Sequence, residues 1–267
     1  MTRRTAPAPS ASDRTEAVTG RSAPGASDPC HGNGVSVSRD LWEREYVTHS
    51  ISSSTNTRPS HGADFLRRHL PSIARVVGPP RLLDLGCGGG RNAAVLAETG
   101  LAIVGMDFAH RPLLAARTRL GPGPARLVQA SMKAPLPFRT GAFSLVTAFT
   151  SLENVTEDDR LRALGREVRR VLCPGGLFLA YFLTPEDGYY LPLIDRDRDG
   201  RNLTFDPVTD LRQRVYQVAE LSALFAPSFT LVASDRFDFP DVRSGDMHQR
   251  RLATALWQRR PGADGPA

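Results

Sequence analysis

The amino-acid sequence predicts an α/β fold in which a doubly wound, mostly parallel sheet of seven strands has helices on both faces. Between residues 81 and 183, short apolar runs alternate with helical segments, a pattern that is typical of parallel strands joined by crossover helices. A glycine cluster follows the first apolar run, at a position where such folds bind ligands. Two further strand-like segments, residues 229–237 and 250–257, complete the seven.

Each predicted element is assigned from its apolar pattern and from the residues at its ends. The first five strands are expected at residues 81–85, 101–106, 126–130, 143–149 and 177–183. The helices are expected at residues 63–77, 92–99, 112–120, 157–172 and 216–225. A Gly-Pro-Pro sequence at 78–80 breaks the first helix, and Pro112 stands at a helix start, where its fixed φ is favourable. Arg169 and Arg170 lie in the last turn of the fourth helix, as the helix dipole favours.

The two ends of the sequence differ in composition from its middle. Residues 1–39 consist largely of Ser, Thr, Ala, Pro and Gly, and such a segment cannot bury enough apolar surface to offset its ordering entropy. We therefore expect a disordered tail at 1–39, one domain at 40–260 and a flexible end at 261–267. Within the domain, residues 184–214 are too long and too charged for an ordinary connection, so we interpret them as an insertion that covers a substrate.

Composition argues against several classes of protein. The sequence contains no run of eighteen apolar residues and no apolar signal region near its start, so we expect a cytoplasmic protein without a membrane partner. The net charge of +6 suggests nucleic acid, but Lys133 is the only lysine in a chain rich in Ala, Gly and Pro. We read this arginine excess as coding bias and expect no nucleic-acid partner. Cys30, Cys87 and Cys173 are far apart, so neither disulfides nor a metal site are expected.

The most informative segment is the glycine loop that follows the first predicted strand, Asp84-Leu-Gly-Cys-Gly-Gly-Gly-Arg91. Glycine allows a tight turn and lets a ligand approach the main chain closely. Asp107 ends the next strand, where a carboxylate in doubly wound folds accepts hydrogen bonds from the hydroxyls of a ribose. The loop has no lysine, as a phosphate-binding P-loop would require, and Arg91 replaces the third glycine of a dinucleotide fingerprint.

The spacing Gly86-x-Gly88-x-Gly90 resembles the loop of class I methyltransferases that use S-adenosyl-L-methionine (SAM). Three more segments resemble motifs of that family in the same order, and together the four span residues 80 to 183. They are the segments 103–108, 143–146 and 167–176. The sequence Gly90-Arg91-Asn92 resembles the small-molecule branch of the family, which includes tellurite-resistance and thiopurine-type methyltransferases, and the chain as a whole resembles methyltransferases of type 11 or type 25. The resemblance implies a transferase that moves the methyl group of SAM to an oxygen or nitrogen atom of a small molecule, for example a secondary metabolite.

The resemblance also implies which residues bind SAM. Asp84 and the loop residues Gly86, Cys87 and Gly88 would face its methionine part, and Asp107 would hold its ribose. The remaining implied positions are Phe108, Ser131 and Met132 at the adenine and Phe149 near the methyl group. Ser131 departs from the aspartate that the family usually has there, so recognition of adenine would depend on backbone groups.

Residues that act on the acceptor are less well defined by the sequence. A general base is required only if the acceptor must lose a proton. Glu153 and His49 are weak candidates, because an exposed loop carboxylate and a surface histidine are the more ordinary interpretations of these residues. The acceptor pocket is expected beyond the carboxyl ends of the strands, with residues 41–60, 151–155 and 184–214 as its walls.

Two other functions remain open from the sequence. One is a non-catalytic module of the same fold that binds SAM or a partner protein. The other is an RNA methyltransferase, which is disfavoured because Phe149-Thr-Ser-Leu152 stands where amino-methylating nucleic-acid enzymes of this fold have an Asn/Asp-Pro-Pro-aromatic signature. The intact loop and Asp107 favour the enzyme over a module that has lost its activity.

Deletion of residues 1–37 is expected to leave folding and SAM binding intact, because this segment lacks core-forming residues. Thermal unfolding and titration calorimetry of the truncated and full chains would measure both properties. A large fall in melting temperature would contradict the composition argument.

Overall fold

The computed structural model describes residues 39–49, 56–77, 81–123, 125–196 and 200–261, and the statements below refer to these residues. Residues 1–38 and 262–267 lie outside the described residues, and with them nearly all of the expected tail and of the expected C-terminal end.

The described chain is built from six helices and ten strands, in addition to two short 3-10 turns. The helices are α1 Arg39–Thr48, α2 His61–Val77, α3 Arg91–Ala97, α4 His110–Leu120, α5 Asp158–Val171 and α6 Val218–Phe225. The first five strands are β1 Arg81–Leu85, β2 Ala102–Asp107, β3 Arg126–Gln129, β4 Phe143–Phe149 and β5 Leu172–Leu183. The other five are β6 Ile194–Arg196, β7 Asn202–Asp206, β8 Leu211–Arg214, β9 Phe229–Arg243 and β10 Asp246–Arg259.

Seven of the strands form one sheet in the order β3-β2-β1-β4-β5-β10-β9. The pairs from β3 to β5 are parallel, whereas β10 runs antiparallel to both of its neighbours. Leu83 of β1 pairs with Val104 of β2 and Val146 of β4, so these three strands end at the same edge of the sheet. The predicted seven-stranded, mostly parallel sheet is confirmed.

An apolar core lies on each face of the sheet, between the strands and the helices that pack against them. Leu83 and Val146 belong to the core that includes α5 and α6, whereas the neighbouring Leu82 and Leu145 belong to the core that includes α2 and α3. This division follows from the alternation of side chains along a strand. Every residue of β4 is buried, as a central strand covered on both faces requires. Each fully buried leucine stabilises the fold by roughly 2 kcal/mol through removal of apolar surface from water.

Residues 184–214 contain a small antiparallel sheet in the order β6-β7-β8. Arg214, at the end of this segment, connects it to helices α5 and α6. Its guanidinium group contacts Asp158 of α5 at 2.6 Å and Glu220 of α6 at 2.5 Å. Near the start of the segment, the carboxylate of Asp187 forms an ion pair with the guanidinium group of Arg250 in β10, at 2.8 Å. Ion pairs to three elements of the main sheet and its helices therefore hold the two ends of this segment.

The hairpin of β9 and β10 is longer than the sequence predicted. The expected strands ended at residue 237 and began again at 250, whereas the structure joins Arg243 to Asp246 through a two-residue turn. Ser244 and Gly245 both have positive φ, as a type I′ hairpin turn requires. β9 lies at the edge of the sheet and is exposed along most of its length, so no sustained apolar run marks its true extent.

Two other boundaries differ from the prediction for identifiable reasons. β5 begins at Leu172 instead of 177, because Leu172 already pairs with Phe143 of β4. The helix expected from residue 216 begins at Val218, after a capping box that Gln217 and Glu220 form. Tyr216 is instead buried in the core, where its hydroxyl donates a hydrogen bond to the carbonyl oxygen of Val155.

Replacement of Arg250 by methionine is expected to destabilise the fold by about 3–5 kcal/mol, because it leaves the carboxylate of Asp187 buried without its cation. The side chains of Asp187 and Arg250 are 0% and 2% exposed. Arg251→Met is the matched control, since Arg251 is 51% exposed and its pairing with Asp238 should contribute less than about 1 kcal/mol. Urea unfolding would measure the free energy of unfolding of both variants. Equal losses of stability would contradict the larger contribution assigned to Arg250.

Candidate active site

A cleft opens where β1, β2 and β4 end, and we call it the central cleft. Its floor is the glycine loop between β1 and α3, and Trp42 and Tyr46 of α1 contribute to its wall. Eight of the nine sequence-predicted cofactor positions line it. They are Gly86, Cys87, Gly88, Asp107, Phe108, Ser131, Met132 and Phe149. The structure thus brings together residues that are separated by up to 63 positions in the sequence (149 − 86).

The glycine loop is shaped by backbone angles that other residues adopt rarely. Gly86, Gly88 and Gly90 have φ of 68°, 53° and 74°. The N–H groups of Gly86 and Cys87 both donate to the carbonyl oxygen of Met106, at 2.7 and 3.0 Å. A Cβ on Gly86 would lie 2.6 Å from Cβ of Ser151, so a side chain there would displace the segment after β4. Gly86 and Gly88 also line the central cleft.

Asp107 connects the end of β2 to the glycine loop. Its Oδ2 accepts a hydrogen bond from the N–H of Gly88 at 2.9 Å, and its Oδ1 accepts one from the N–H of Ala109 at 3.0 Å. Burial raises the pKa of this carboxyl group, although the two backbone donors oppose that shift. The carboxylate is fixed in orientation and lines the cleft, and each oxygen keeps a lone pair for a further donor.

Asp84 is the one predicted cofactor position that the structure does not bring to the cleft. Its side chain is 1% exposed and accepts a hydrogen bond from the hydroxyl of Thr147 at 2.9 Å. Burial raises its pKa to about 7, which the Thr147 contact opposes. We correct the expectation that Asp84 faces the ligand: it lies within β1, pairs with Gly105 and Thr147, and supports the loop from within the sheet.

Helix α1 closes over the rim of the cleft through two side chains. The hydroxyl of Tyr46 accepts a hydrogen bond from the N–H of Gly89 at 2.6 Å. The carboxylate of Glu43 accepts hydrogen bonds from the N–H groups of His110 and Arg111, at 2.6 and 2.9 Å, and so caps the start of α4. Sequence reasoning missed both residues, because their partners lie 43 to 68 positions away and no local pattern marks them.

The two candidate bases of the sequence analysis are not at the cleft. His49 is exposed and follows the last residue of α1. Glu153 is fully buried, so the alternative of an exposed loop carboxylate is wrong. Its Oε1 accepts the N–H of Leu183 at 2.8 Å, and its Oε2 has no hydrogen-bond partner among the described residues. Burial raises the pKa of Glu153 to about 7. This carboxyl group joins the turn after β4 to the end of β5.

A second cavity of about 520 Å³, which we call the side cavity, adjoins the central cleft. Trp42, Arg91 and Thr150 line both. Two segments that the sequence predicted as walls, 41–60 and 184–214, contribute residues to the side cavity. The hairpin of β9 and β10 supplies a further wall, 239–243, which the sequence analysis missed because it underestimated the length of these strands.

Thr150 has a strained backbone at the junction of the two cavities. Its φ of 48° is uncommon for a β-branched residue. Its N–H donates to the carbonyl oxygen of Tyr181 at 2.6 Å, and its hydroxyl donates to the carbonyl oxygen of Phe149 at 2.8 Å. Backbone strain of this kind concentrates at functional sites, where the surrounding structure holds it.

The part of the chain that the structure describes contains neither a membrane-spanning helix nor a cluster of metal ligands. None of its helices is long and apolar enough to span a membrane. No group of three or more His, Cys, Asp or Glu side chains in these residues is arranged to hold a metal ion.

Known proteins resemble this chain in sequence and in fold. Residues 83–180 match a family described as a methyltransferase domain. A demethylmenaquinone methyltransferase of Clavibacter sepedonicus is 37% identical over 150 residues, which are 54% of this chain and 57% of that protein. The chain therefore spans little more than half the length of this relative.

Two solved structures show the same fold. The PH0226 protein of Pyrococcus horikoshii OT3 has a TM-score of 0.59 at 20% identity, over 81% of this chain and 99% of that one. A glycopeptide N-methyltransferase in complex with S-adenosyl-L-homocysteine has a TM-score of 0.53 at 20% identity, over 76% of this chain and 92% of that one.

Glu153→Gln is expected to change how stability depends on pH. A carboxyl group whose pKa is raised to about 7 on folding stabilises the protein below its ordinary pKa of 4.5, and this contribution is lost as pH rises towards 7. Between pH 4.5 and pH 8, the free energy of unfolding of the variant should therefore rise by about 3 kcal/mol relative to that of the wild type. Asp84 titrates in both proteins and cancels from the difference. Urea unfolding at several pH values measures it, and a difference independent of pH would contradict the assignment.

Proposed function

The chain carries a class I SAM-dependent methyltransferase domain, and from this premise we propose that it transfers the methyl group of SAM to a small molecule held in the side cavity. The observation that carries the proposal is the arrangement of two cavities that meet at Arg91 and Thr150. One has the glycine loop and the carboxylate that the family uses for SAM. The other is a separate space of a size suited to a small organic molecule.

The residues of the central cleft fit SAM in shape and polarity. Gly86 and Gly88 line the cleft, and having no side chain they let a ligand approach the main chain closely. We propose that this backbone contacts the methionine part and that Asp107 accepts hydrogen bonds from the ribose hydroxyls. Phe108, Ser131 and Met132 line the same cleft and would form the adenine pocket.

When bound, SAM supplies a methyl group on a positively charged sulfur, which is already activated for displacement. The protein then has to orient the acceptor in line with that group and to exclude water. We propose that Thr150 and Phe149, at the end of β4, place the acceptor, and that Trp42 of α1 shields the junction. Glu153 is too deeply buried to act as the base, so a proton lost by the acceptor would leave through the side cavity.

A small-molecule acceptor is supported by the walls of the side cavity. Tyr190, Leu211 and Gln213 of the 184–214 segment line it, so this segment would act as the expected substrate cover. The demethylmenaquinone methyltransferase that the chain resembles is named for a small-molecule acceptor. We propose the same class of acceptor, methylated on oxygen or nitrogen, and do not extend the relative's substrate to this chain.

Titration calorimetry with SAM, S-adenosyl-L-homocysteine and NAD would test cofactor binding. We expect dissociation constants on the order of micromolar for the first two ligands, equivalent to about 8 kcal/mol. NAD should bind far more weakly, because Arg91 occupies the third glycine position of a dinucleotide loop. A preference for NAD would overturn the proposal. SAM binding with no turnover of any acceptor in a metabolite screen would favour the non-catalytic module.

Asp107→Asn should weaken the binding of SAM by about 2 kcal/mol, because the charge-assisted hydrogen bonds to the ribose are lost. Asparagine keeps an acceptor oxygen for one of the two backbone N–H groups that Asp107 holds, and so disturbs the loop less than alanine. Asp238→Asn on the exposed edge strand is the control and should leave the affinity unchanged. Calorimetry gives both values, and unaltered affinity in the Asp107 variant would place the ribose elsewhere.

A further inference from the structure

The walls of the side cavity carry more guanidinium groups than carboxylates. The charged residues that line it are Arg58, Arg91, Arg243, Arg250, Asp64 and Asp241. Four cations against two anions in one cavity indicate a ligand that brings negative charge, unless ion pairs within the walls already balance them.

Most of these charges are balanced within the protein. Arg250 contacts Asp187 at 2.8 Å and Asp241 at 3.2 Å, and is therefore neutralised. Asp241 also contacts Arg243 at 3.1 Å, so two guanidinium groups share this carboxylate. Asp64 lies 3.4 Å from Arg67, on the exposed side of α2. No aspartate of the cavity remains to balance Arg91.

Arg91 differs from Arg243 and Arg250 because, within the described part of the chain, its guanidinium group has no ion pair and no hydrogen bond. Arg58 has no such partner among the described residues either, but it is exposed to solvent, whereas Arg91 is partly buried. Burial lowers the pKa of Arg91, and the nearby Arg243 and Arg119 lower it further by repulsion, whereas Tyr46 and Tyr181 oppose the shift. A desolvated cation without an anion is unfavourable, and a bound anion would relieve that cost.

Five aromatic side chains, Trp42, His61, Tyr181, Tyr190 and Phe239, are among the other residues that line the side cavity. The ring of His61 lies 4.2 Å from that of Phe239, with their planes tilted by 32°. Tyr181 and Tyr190 line the same space. Flat aromatic surfaces favour a flat ligand, because stacked rings bury apolar area and interact through their quadrupoles.

We propose that the acceptor is an aromatic carboxylic acid whose carboxylate binds between Arg91 and Arg243, an inference that rests on the proposed function. Guanidinium groups bind carboxylates through paired, charge-assisted hydrogen bonds. These bonds occupy the lone pairs of the carboxylate, so the methyl group goes to a hydroxyl or amine of the same molecule. The acceptor atom bonds to the methyl carbon as the carbon–sulfur bond breaks. Sulfur keeps that electron pair, and the acceptor's proton passes to solvent.

The carboxylate of SAM is the competing partner for Arg91, because Arg91 also lines the central cleft. Arg243 lines only the side cavity, and this difference separates the two sources of a carboxylate. Binding of an acceptor through its carboxylate should require both arginines. Binding of the cofactor through its carboxylate should require Arg91 alone.

Calorimetry with 4-hydroxybenzoate and 4-hydroxybenzamide as probes, on protein saturated with S-adenosyl-L-homocysteine, tests the proposal. The acid should bind about tenfold more tightly than the amide, because the amide lacks the charge that Arg91 and Arg243 recognise. Arg91→Gln and Arg243→Gln should each weaken binding of the acid by about tenfold. Arg68→Gln, on the exposed side of α2 and outside the cavity, is the matched control and should leave binding unchanged.

The outcomes distinguish a failure of the proposed function from a failure of the proposed anion site. Wild-type protein that fails to bind S-adenosyl-L-homocysteine contradicts the proposed function. Wild-type protein that binds it, but binds acid and amide equally or binds no acid, overturns the anion site, whatever the variants do. Loss of S-adenosyl-L-homocysteine affinity in Arg91→Gln, with binding of the acid retained, assigns Arg91 to the cofactor and also overturns the proposal.

Discussion

The parallel pairing of β1 with β2 and β4 is the constraint on which the site depends. It ends three strands at one edge of the sheet, and the segments that follow them build the central cleft. The N–H groups of Gly86 and Cys87 continue the contacts between β1 and β2 beyond the last strand residue. Asp107 then reaches back to Gly88, so the loop and the end of β2 form one rigid unit. A shift of β1 by one residue would separate these partners.

Features that depend on local sequence could be predicted, and those that depend on distant contacts could not. The strands of the seven-stranded sheet, the glycine loop and Asp107 follow from runs of apolar residues, glycine spacing and position along the chain. The short strands β6, β7 and β8 were not predicted, because the charged segment that contains them shows no strand-like apolar run. The pairing of Glu43 with the start of α4 has no local signature, since its partners lie 67 and 68 positions away. Glu153 follows a strand, where the sequence is compatible with a base at the site or with an exposed loop carboxylate, yet the structure buries it completely, with its Oε1 bonded to the N–H of Leu183. The edge strand β9 was underestimated because most of its residues are exposed, so that no sustained apolar run marks where it ends.

The site has two parts, which differ in the segments that build them. The central cleft is lined mainly by the segments that follow β1, β2 and β4, together with Trp42 and Tyr46 of α1. The walls of the side cavity include residues of the segment before α2, the 184–214 segment and the β9–β10 hairpin. Arg91, after the glycine loop, and Thr150, after β4, line both cavities.

A crystal structure of the complex with S-adenosyl-L-homocysteine would test the central claim most directly, which is that the cleft binds SAM with its methyl group towards the side cavity. The account predicts that the ribose hydroxyls bond to Asp107 and that the sulfur atom lies at the junction formed by Arg91 and Thr150. A ligand bound outside the cleft, or one whose sulfur atom faces away from the side cavity, would contradict it.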